Sequence, residues 1–319
     1  MINRILKDLI LRLVALSRHF LFQKFYYSFE NDSCKLLIHF PGIVTANHVN
    51  PMDVSVVCYL NRFYQEKLPL VVPARQDILE PGFLVKEFEP KGIQKMILGW
   101  IDFSGILPSM LKTVNAYPVK RPFRDNSREL TGRNTLRDLV NQNWKDLGNE
   151  ILSGKTLFLF PEGTYTINGE LNQIRQGVYL LYSQIGSLSV LPIGLNYDYL
   201  LYRKPVMDLR IGAPVQFPKD MDRVTLAQFL KTLMNSQILI TPGNLFSYFL
   251  YTDEIKTGIS IEKFRLQIID IINSLKKDKK NLLSGSLLSE NPERYIHTMI
   301  SDAIQSKFIL KNEDRIWGT

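Results

Sequence analysis

Apolar residues recur along the chain with two different periods, and the period changes near residue 220. Before that point, short apolar runs of strand length alternate with stretches of helical spacing; the runs lie at residues 42–45, 68–75, 116–119, 156–160, 189–197 and 208–215. This alternation predicts an α/β fold with a central, mostly parallel or mixed sheet flanked by helices. From residue 226 onward the spacing predicts a helical C-terminal extension. We therefore divide the chain into residues 1–40, 41–220 and 221–319.

The first region carries a helical pattern at residues 2–27 that is broken by charge. Six charged side chains interrupt its apolar residues: Arg4, Lys7, Asp8, Arg12, Arg18 and Lys24. A bilayer span needs about 20 largely apolar residues, so no span is predicted here. The pattern is typical of an amphipathic helix lying in a membrane interface, with a soluble helix packed on the domain as the alternative. A strand is predicted after it, at residues 34–40.

The net charge of +8 favours an anionic partner. Lipid head groups, nucleic acid and the phosphates of a nucleotide-bearing substrate all fit this charge, but no nucleic-acid-binding module is recognisable, so nucleic acid is not expected. The only two cysteines, Cys34 and Cys58, are predicted to be reduced core residues. The four histidines have no metal-ligand spacing, so no metal site is expected.

A histidine and an aspartate follow the apolar run at residues 42–45. His48 and Asp53 have four residues between them, including the turn dipeptide Asn50-Pro51, which favours a helix start. An imidazole that takes a proton needs a partner to hold its tautomer and stabilise its positive charge. A carboxylate one helical turn into the next helix reaches back far enough to do so. Asp53 is therefore the candidate orienter of His48, and capping of the helix is the alternative role for the pair.

A second polar stretch follows the apolar run at residues 156–160. Pro161, Glu162, Gly163 and Thr164 stand just past the predicted strand end, and open α/β sheets place their ligands at such ends. Glu162 could instead cap a helix. The short run at residues 116–119 leads into two cations, Lys120 and Arg121.

In this order, these stretches resemble the motifs of the glycerolipid acyltransferase family, the group that contains glycerol-3-phosphate and lysophosphatidic-acid acyltransferases. Asn47, His48 and Asp53 match its first motif, Asn-His followed by four residues and Asp. Residues 160–164 reproduce its Phe-Pro-Glu-Gly-Thr motif letter for letter. Residues 117–121 and 191–193 fit its second and fourth motifs loosely. The resemblance covers about residues 40–215.

The resemblance implies an O-acyltransferase of phospholipid biosynthesis, with His48 as general base and Asp53 as its orienter. A fatty acyl group would pass from acyl-CoA or acyl carrier protein to a hydroxyl of a glycerolipid precursor, in the first place 1-acylglycerol-3-phosphate or glycerol phosphate. No cofactor is implied. The acceptor pocket would be lined by Lys120, Arg121, Glu162, Gly163 and Thr164. The enzyme would work on the cytoplasmic face of an anionic membrane, as a peripheral or monotopic protein.

Two departures from the family pattern keep other acceptors open. Tyr165 stands where family members with phosphorylated acceptors commonly carry an arginine, and residues 49–52 are Val-Asn-Pro-Met rather than the Gln-Ser type of the lysophosphatidic-acid enzymes. A different lysolipid or an amino-acid-headed lipid is therefore an alternative acceptor. A non-catalytic lipid-binding or scaffold protein that kept the fold is the alternative function.

Residues 92–114 form a mostly apolar segment that contains Trp100 and Phe103. A helix in the hydrophobic core is the preferred interpretation. A lid beside an acyl-chain groove is the alternative.

Overall fold

A computed structural model describes most of the chain. The described residues are 9, 12, 16, 18–36, 41–50, 53, 55–64, 69–80, 82–105, 108, 111, 115–119, 133–166, 169–199, 204–278, 282–289 and 291–318. Its strands are β1 Lys24–Phe29, β2 Gly42–Ala46, β3 Leu70–Arg75, β4 Ala116–Val119, β5 Thr156–Leu159, β6 Ser189–Asp198, β7 Val206–Ile211, β8 Val215–Gln216, β9 Ile259–Ser260, β10 Ile309–Asn312 and β11 Arg315–Gly318. Its helices are α1 Ser55–Phe63, α2 Phe83–Phe88, α3 Ile93–Phe103, α4 Arg133–Leu152, α5 Gly177–Ile185, α6 Arg223–Asn235, α7 Pro242–Leu250, α8 Asp253–Thr257, α9 Ile261–Asp278, α10 Gly285–Ser289 and α11 Pro292–Gln305. Short 3-10 helices lie at Asp32–Leu36 and Gln76–Leu79.

Eight strands form the central sheet in the order β1-β7-β6-β2-β5-β3-β4, with β8 paired to β6. The pairs β2–β5, β5–β3, β3–β4 and β1–β7 are parallel, whereas β7 and β8 run antiparallel to β6. Strands β2 and β5 are buried along their whole length, which explains why they are continuous apolar runs rather than alternating ones. The predicted α/β class, with a mostly parallel sheet flanked by helices, is confirmed.

The chain divides into two compact units. The first comprises residues 1–16, 36–192 and 214–232, and contains β2 to β5. The second comprises residues 17–35, 193–213 and 233–319. The second unit has a hydrophobic core of its own, formed mainly by α7, α9 and α11 around the buried Phe246, Phe264, Ile268 and Ile296. The division of the chain at residues 40 and 220 stays a prediction.

The helical C-terminal extension is confirmed, and it carries a small sheet that the sequence did not indicate. Strand β11 pairs antiparallel with both β10 and β9. These strands have only two to four residues each, too few to show a period in the sequence.

The predictions for the first forty residues are correct only in part. Helical backbone is described at Leu9, Arg12, Leu16 and residues 18–21, but Lys24–Phe29 forms strand β1, so the helix does not continue to residue 27. The strand predicted at residues 34–40 is wrong for its described part, because Asp32–Leu36 is a 3-10 helix; residues 37–40 lie outside the described residues. Strand β1 pairs in parallel with β7. The five residues that follow Lys24 in it are aromatic or polar, and so short a run is compatible with both the helical and the strand period.

The core interpretation of residues 92–114 is wrong for its helical part. Ile93–Phe103 forms helix α3 as expected, but five of its apolar side chains are exposed. Within the residues that the structure describes, no helix is both long and apolar enough to cross a bilayer.

Candidate active site

His48 lies where two neighbouring parallel strands leave the sheet together. The register pairs Thr45 of β2 with Leu159 of β5, so His48 and the Glu162 loop both follow the carboxyl ends of adjacent strands. This edge is where open α/β sheets bind ligands. The two sequence motifs, separated by more than a hundred residues, therefore meet at one point of the fold.

Asp53 folds back onto the segment that carries His48. Its Oδ2 accepts hydrogen bonds from the backbone N–H groups of Val49 (2.6 Å) and Asn50 (2.8 Å), and lies 3.0 Å from Nδ1 of His48. The Asp53 side chain is fully buried, whereas the His48 side chain keeps 14% of its surface exposed. A carboxylate accepts from a protonated Nδ1, so this contact selects the neutral tautomer whose Nε2 carries the lone pair.

Two aromatic rings hold the plane of the imidazole. The Phe160 ring stacks on it with centroids 4.2 Å apart and planes inclined by 18°. The Tyr165 ring meets it edge-on at 5.7 Å. Together with the Asp53 contact, these rings restrict rotation of the imidazole, and general-base catalysis depends on such positioning.

Glu162 joins its loop to the backbone of His48. Its Oε1 accepts the His48 backbone N–H at 3.0 Å, and its Oε2 accepts the backbone N–H of Asn172 at 2.7 Å. In the reverse direction, the N–H of Thr166 donates to the His48 carbonyl at 2.8 Å. The side chain is fully buried. Because both carboxylate oxygens bind backbone amides, Glu162 acts in this structure as a brace between the two strand ends.

Gly163 and Arg175 shape the turn that carries Glu162. Gly163 has φ of +70°, and a Cβ there would lie 3.2 Å from Cγ of Arg175, so a larger residue would meet both backbone strain and crowding. The Arg175 Nε–H donates to the Glu162 carbonyl at 3.1 Å, and its backbone N–H donates to the Pro161 carbonyl at 2.8 Å. Sequence reasoning missed Arg175, whose only signal is a cation shortly before the α5 helix.

The other predicted site residues are placed as follows. Thr164 is half-buried directly after Gly163. Lys120 and Arg121 lie outside the described residues; strand β4, which precedes them in the chain, ends at Val119 and runs parallel to β3. No group of three His, Cys, Asp or Glu side chains in the described part of the chain is arranged to hold a metal ion.

The buried position of Glu162 predicts an unusual pH dependence of stability. Burial raises the pKa of its carboxyl, and the amides of Asn172 and His48 oppose the rise. The folded state therefore binds this proton more tightly than the unfolded state does. Its contribution is fully present below the ordinary value of 4.5 and is lost as the pH rises through the folded-state pKa.

Glu162→Gln removes this titration and leaves one of the two amides without an acceptor, because a carboxamide offers only one acceptor oxygen. We expect the wild type to be the more stable protein, by a margin that shrinks as the pH is raised from below 4.5 towards neutrality. Urea unfolding followed by circular dichroism at several pH values measures the margin, with Glu170→Gln, an exposed carboxyl of the same loop, as the control for loss of charge. A margin that widens with pH would contradict the assignment.

Comparisons with known proteins do not identify the reaction. No protein-family model matches the chain, and no curated protein matches it either. Among solved structures, the chain is similar to the 1-acyl-sn-glycerophosphate (LPA) acyltransferase PlsC from Thermotoga maritima, with 16% sequence identity and a TM-score of 0.47 over 74% of this chain and 79% of that one.

Proposed function

We propose that the protein is an O-acyltransferase that moves a fatty acyl group from acyl-CoA or acyl carrier protein to a hydroxyl of a glycerolipid precursor. The observation that carries this proposal is the contact of His48 Nδ1 with the buried Asp53 carboxylate, at 3.0 Å, at a strand end that the Glu162 loop also joins. The geometry leaves Nε2 as the basic atom of a partly exposed imidazole.

The proposed reaction needs one base and no covalent intermediate. Nε2 of His48 takes the proton of the acceptor hydroxyl, and the hydroxyl oxygen attacks the thioester carbonyl carbon. The tetrahedral intermediate collapses with cleavage of the carbon–sulfur bond, and the imidazolium returns its proton to the departing thiolate. The Asp53 carboxylate stabilises the imidazolium between these two transfers. A thiolate is a good leaving group, so positioning and proton transfer supply the catalysis.

The acceptor that we propose first is 1-acylglycerol-3-phosphate, with another lysolipid as the alternative. Lys120 and Arg121 follow β4 directly, and a guanidinium matches the geometry of a phosphate group. Glu162, Gly163 and Thr164 would line the same pocket, and Glu162 also braces the loop that carries them. Tyr165 is exposed beside the imidazole and offers a hydroxyl instead of a cation there, which favours the alternative acceptor.

The proposed partner surface is an anionic membrane, on its cytoplasmic face. The described residues of the N-terminal helix expose Leu9, Leu16 and Phe20 together with Arg12. Exposed apolar and basic side chains at positions of helical backbone favour attachment in the membrane interface.

The experiment that tests this function is acyl transfer by the purified protein. Radiolabelled acyl-CoA or acyl carrier protein is mixed with glycerol-3-phosphate, 1-acylglycerol-3-phosphate or one of several other lysolipids, and the lipid products are separated. We expect label in the acylated product of one acceptor, which is a diacylated lipid if the acceptor is a lysolipid and a monoacylated one if it is glycerol-3-phosphate. No label is expected when the free hydroxyls of that acceptor are methylated. Absence of labelled product from every pair of donor and acceptor would contradict the proposal.

A further inference from the structure

Helix α3 exposes five large apolar side chains, which we call the apolar face of α3: Ile93, Met96, Ile97, Trp100 and Phe103. Trp100 is 66% exposed and Phe103 is 82% exposed. At about 100° per residue, the five positions fall within an arc of about 120°, the width of a face that normally packs on a core. A contiguous exposed patch of this kind marks an interaction surface rather than scattered surface residues.

The opposite side of α3 is fixed to α2, so the helix is held with its apolar face outward. Asp102 is buried, and its two oxygens accept the backbone N–H groups of Leu84 (3.0 Å) and Val85 (2.8 Å) in the first turn of α2. Gly99 lies against the Val85 side chain, which a Cβ there would approach to 3.9 Å. Rotating α3 to bury the apolar face would turn Asp102 away from α2 and break both hydrogen bonds, so the amides of Leu84 and Val85 would lose a charged acceptor.

Basic side chains accompany this face. Lys86 of α2, Lys91 and Lys95 are exposed, with Glu89 as an exposed anion between them, and the chain as a whole carries a net charge of +8. Aromatic and aliphatic residues on one side with lysines on the other are typical of a helix that lies in the interface of an anionic bilayer.

The α2–α3 hairpin follows the carboxyl end of β3, through the 3-10 helix Gln76–Leu79. Strand β3 is parallel to β5, so the hairpin leaves the sheet at the edge where His48 and Glu162 lie. A surface that inserts beside this edge would bring the site to the lipid.

We infer that α3 is a membrane-insertion element whose apolar face lies at the boundary between head groups and acyl chains of an anionic bilayer. This inference extends the proposed binding to an anionic membrane. Its functional use rests on the proposed lipid substrate, whereas the exposure and orientation of α3 do not depend on the catalytic proposal. It adds a second attachment point to the one proposed for the N-terminal helix.

A fluorescent probe at single positions of α3 tests the insertion in the full chain. The native thiols, Cys34 and Cys58, are buried, and burial raises the pKa of the Cys58 thiol to about 11, so an exposed engineered cysteine is labelled selectively at neutral pH. With phosphatidylcholine vesicles that contain phosphatidylglycerol, we expect the emission of a polarity-sensitive label on Ile97→Cys to shift to the blue. The matched control is Gln94→Cys, exposed on the same helix but outside the apolar face, where no shift is expected.

Vesicle sedimentation tests the contribution to binding. Trp100→Ser/Phe103→Ser is expected to weaken partition into the anionic vesicles by about tenfold or more, whereas Val224→Ser/Tyr251→Ser, two exposed residues elsewhere, should bind like the wild type. Pure phosphatidylcholine should bind the wild type more weakly.

Three results would overturn the inference. The first is an unshifted emission of the Ile97 label at vesicle concentrations that sediment the whole protein. The second is a shift without vesicles as the protein concentration rises, which would mean that a second copy covers the face. The third is equal vesicle binding by the two double variants. Vesicle binding and acyl transfer are tested independently, because His48→Ala should bind vesicles like the wild type. The α3 double variant should also retain acyl transfer to a water-soluble short-chain lysolipid.

Discussion

His48→Ala is expected to lower the acyl-transfer rate by about 10²- to 10⁴-fold, the usual contribution of a general base. The fold should survive, because the hydrogen bonds that join this segment to Glu162 and Thr166 involve the backbone of residue 48, which the substitution keeps. Initial rates at saturating donor and acceptor measure the effect, and the circular dichroism spectrum and thermal midpoint check the fold.

The matched control is His297→Ala, which removes an exposed imidazole from α11 and should leave the rate unchanged. A folded His48→Ala protein that keeps the wild-type rate would remove the base from the mechanism.

Asp53→Asn is expected to affect both rate and stability. The carboxamide carries no charge to stabilise the imidazolium, so the rate should fall by about 10²-fold or more. The amides of Val49 and Asn50 also lose a charged acceptor, which should lower the free energy of unfolding by about 1–3 kcal/mol. Urea unfolding measures the change in the free energy of unfolding. The acyl-transfer rate is expressed per folded molecule, so that the loss of stability does not count as a loss of rate.

Asp270→Asn is the control, because Asp270 is an exposed carboxylate on α9. If Asp53 served only as a cap for the turn, the rate per folded molecule would stay at the wild-type value while the stability fell. That outcome would separate Asp53 from the chemistry.

Local features of the site could be predicted from the sequence because a few residues determine them. A strand end, a turn dipeptide and a four-residue separation are enough to bring Asp53 back to His48. The bond between Glu162 and the His48 amide joins residues 114 apart in the chain. Sequence order placed the two motifs at strand ends, but only the pairing of β2 with β5 brings those ends together.

The role of Glu162 shows what a motif leaves out. The resemblance implies that Glu162 lines the acceptor pocket, and this role stays a prediction. The structure adds that both of its carboxylate oxygens accept backbone N–H groups. A buried carboxylate satisfied in this way orders the loop around His48, as the residues that support a functional side chain do. Contacts of the acceptor with Lys120, Arg121, Thr164 and Tyr165 are proposed and not observed.

The wrong predictions have a common physical cause. Periodicity records which residues are apolar and how they are spaced, but a buried face and an exposed face have the same spacing. Residues 93–103 gave the correct helix and the wrong environment for that reason. Residues 24–27 were predicted to be helical but belong to strand β1. This strand pairs with β7, which lies far away in the sequence, so the pattern of residues 2–27 alone does not include its partner.

The most direct test of the central claim is the acyl-transfer rate of His48→Ala/Asp53→Asn beside the two single variants and the wild type. If the imidazole and the carboxylate act as one unit, the double variant loses no more rate than His48→Ala alone, because Asp53 acts only through the base. A loss equal to the product of the two single losses, or a double variant that still transfers acyl groups at the wild-type rate, would contradict it.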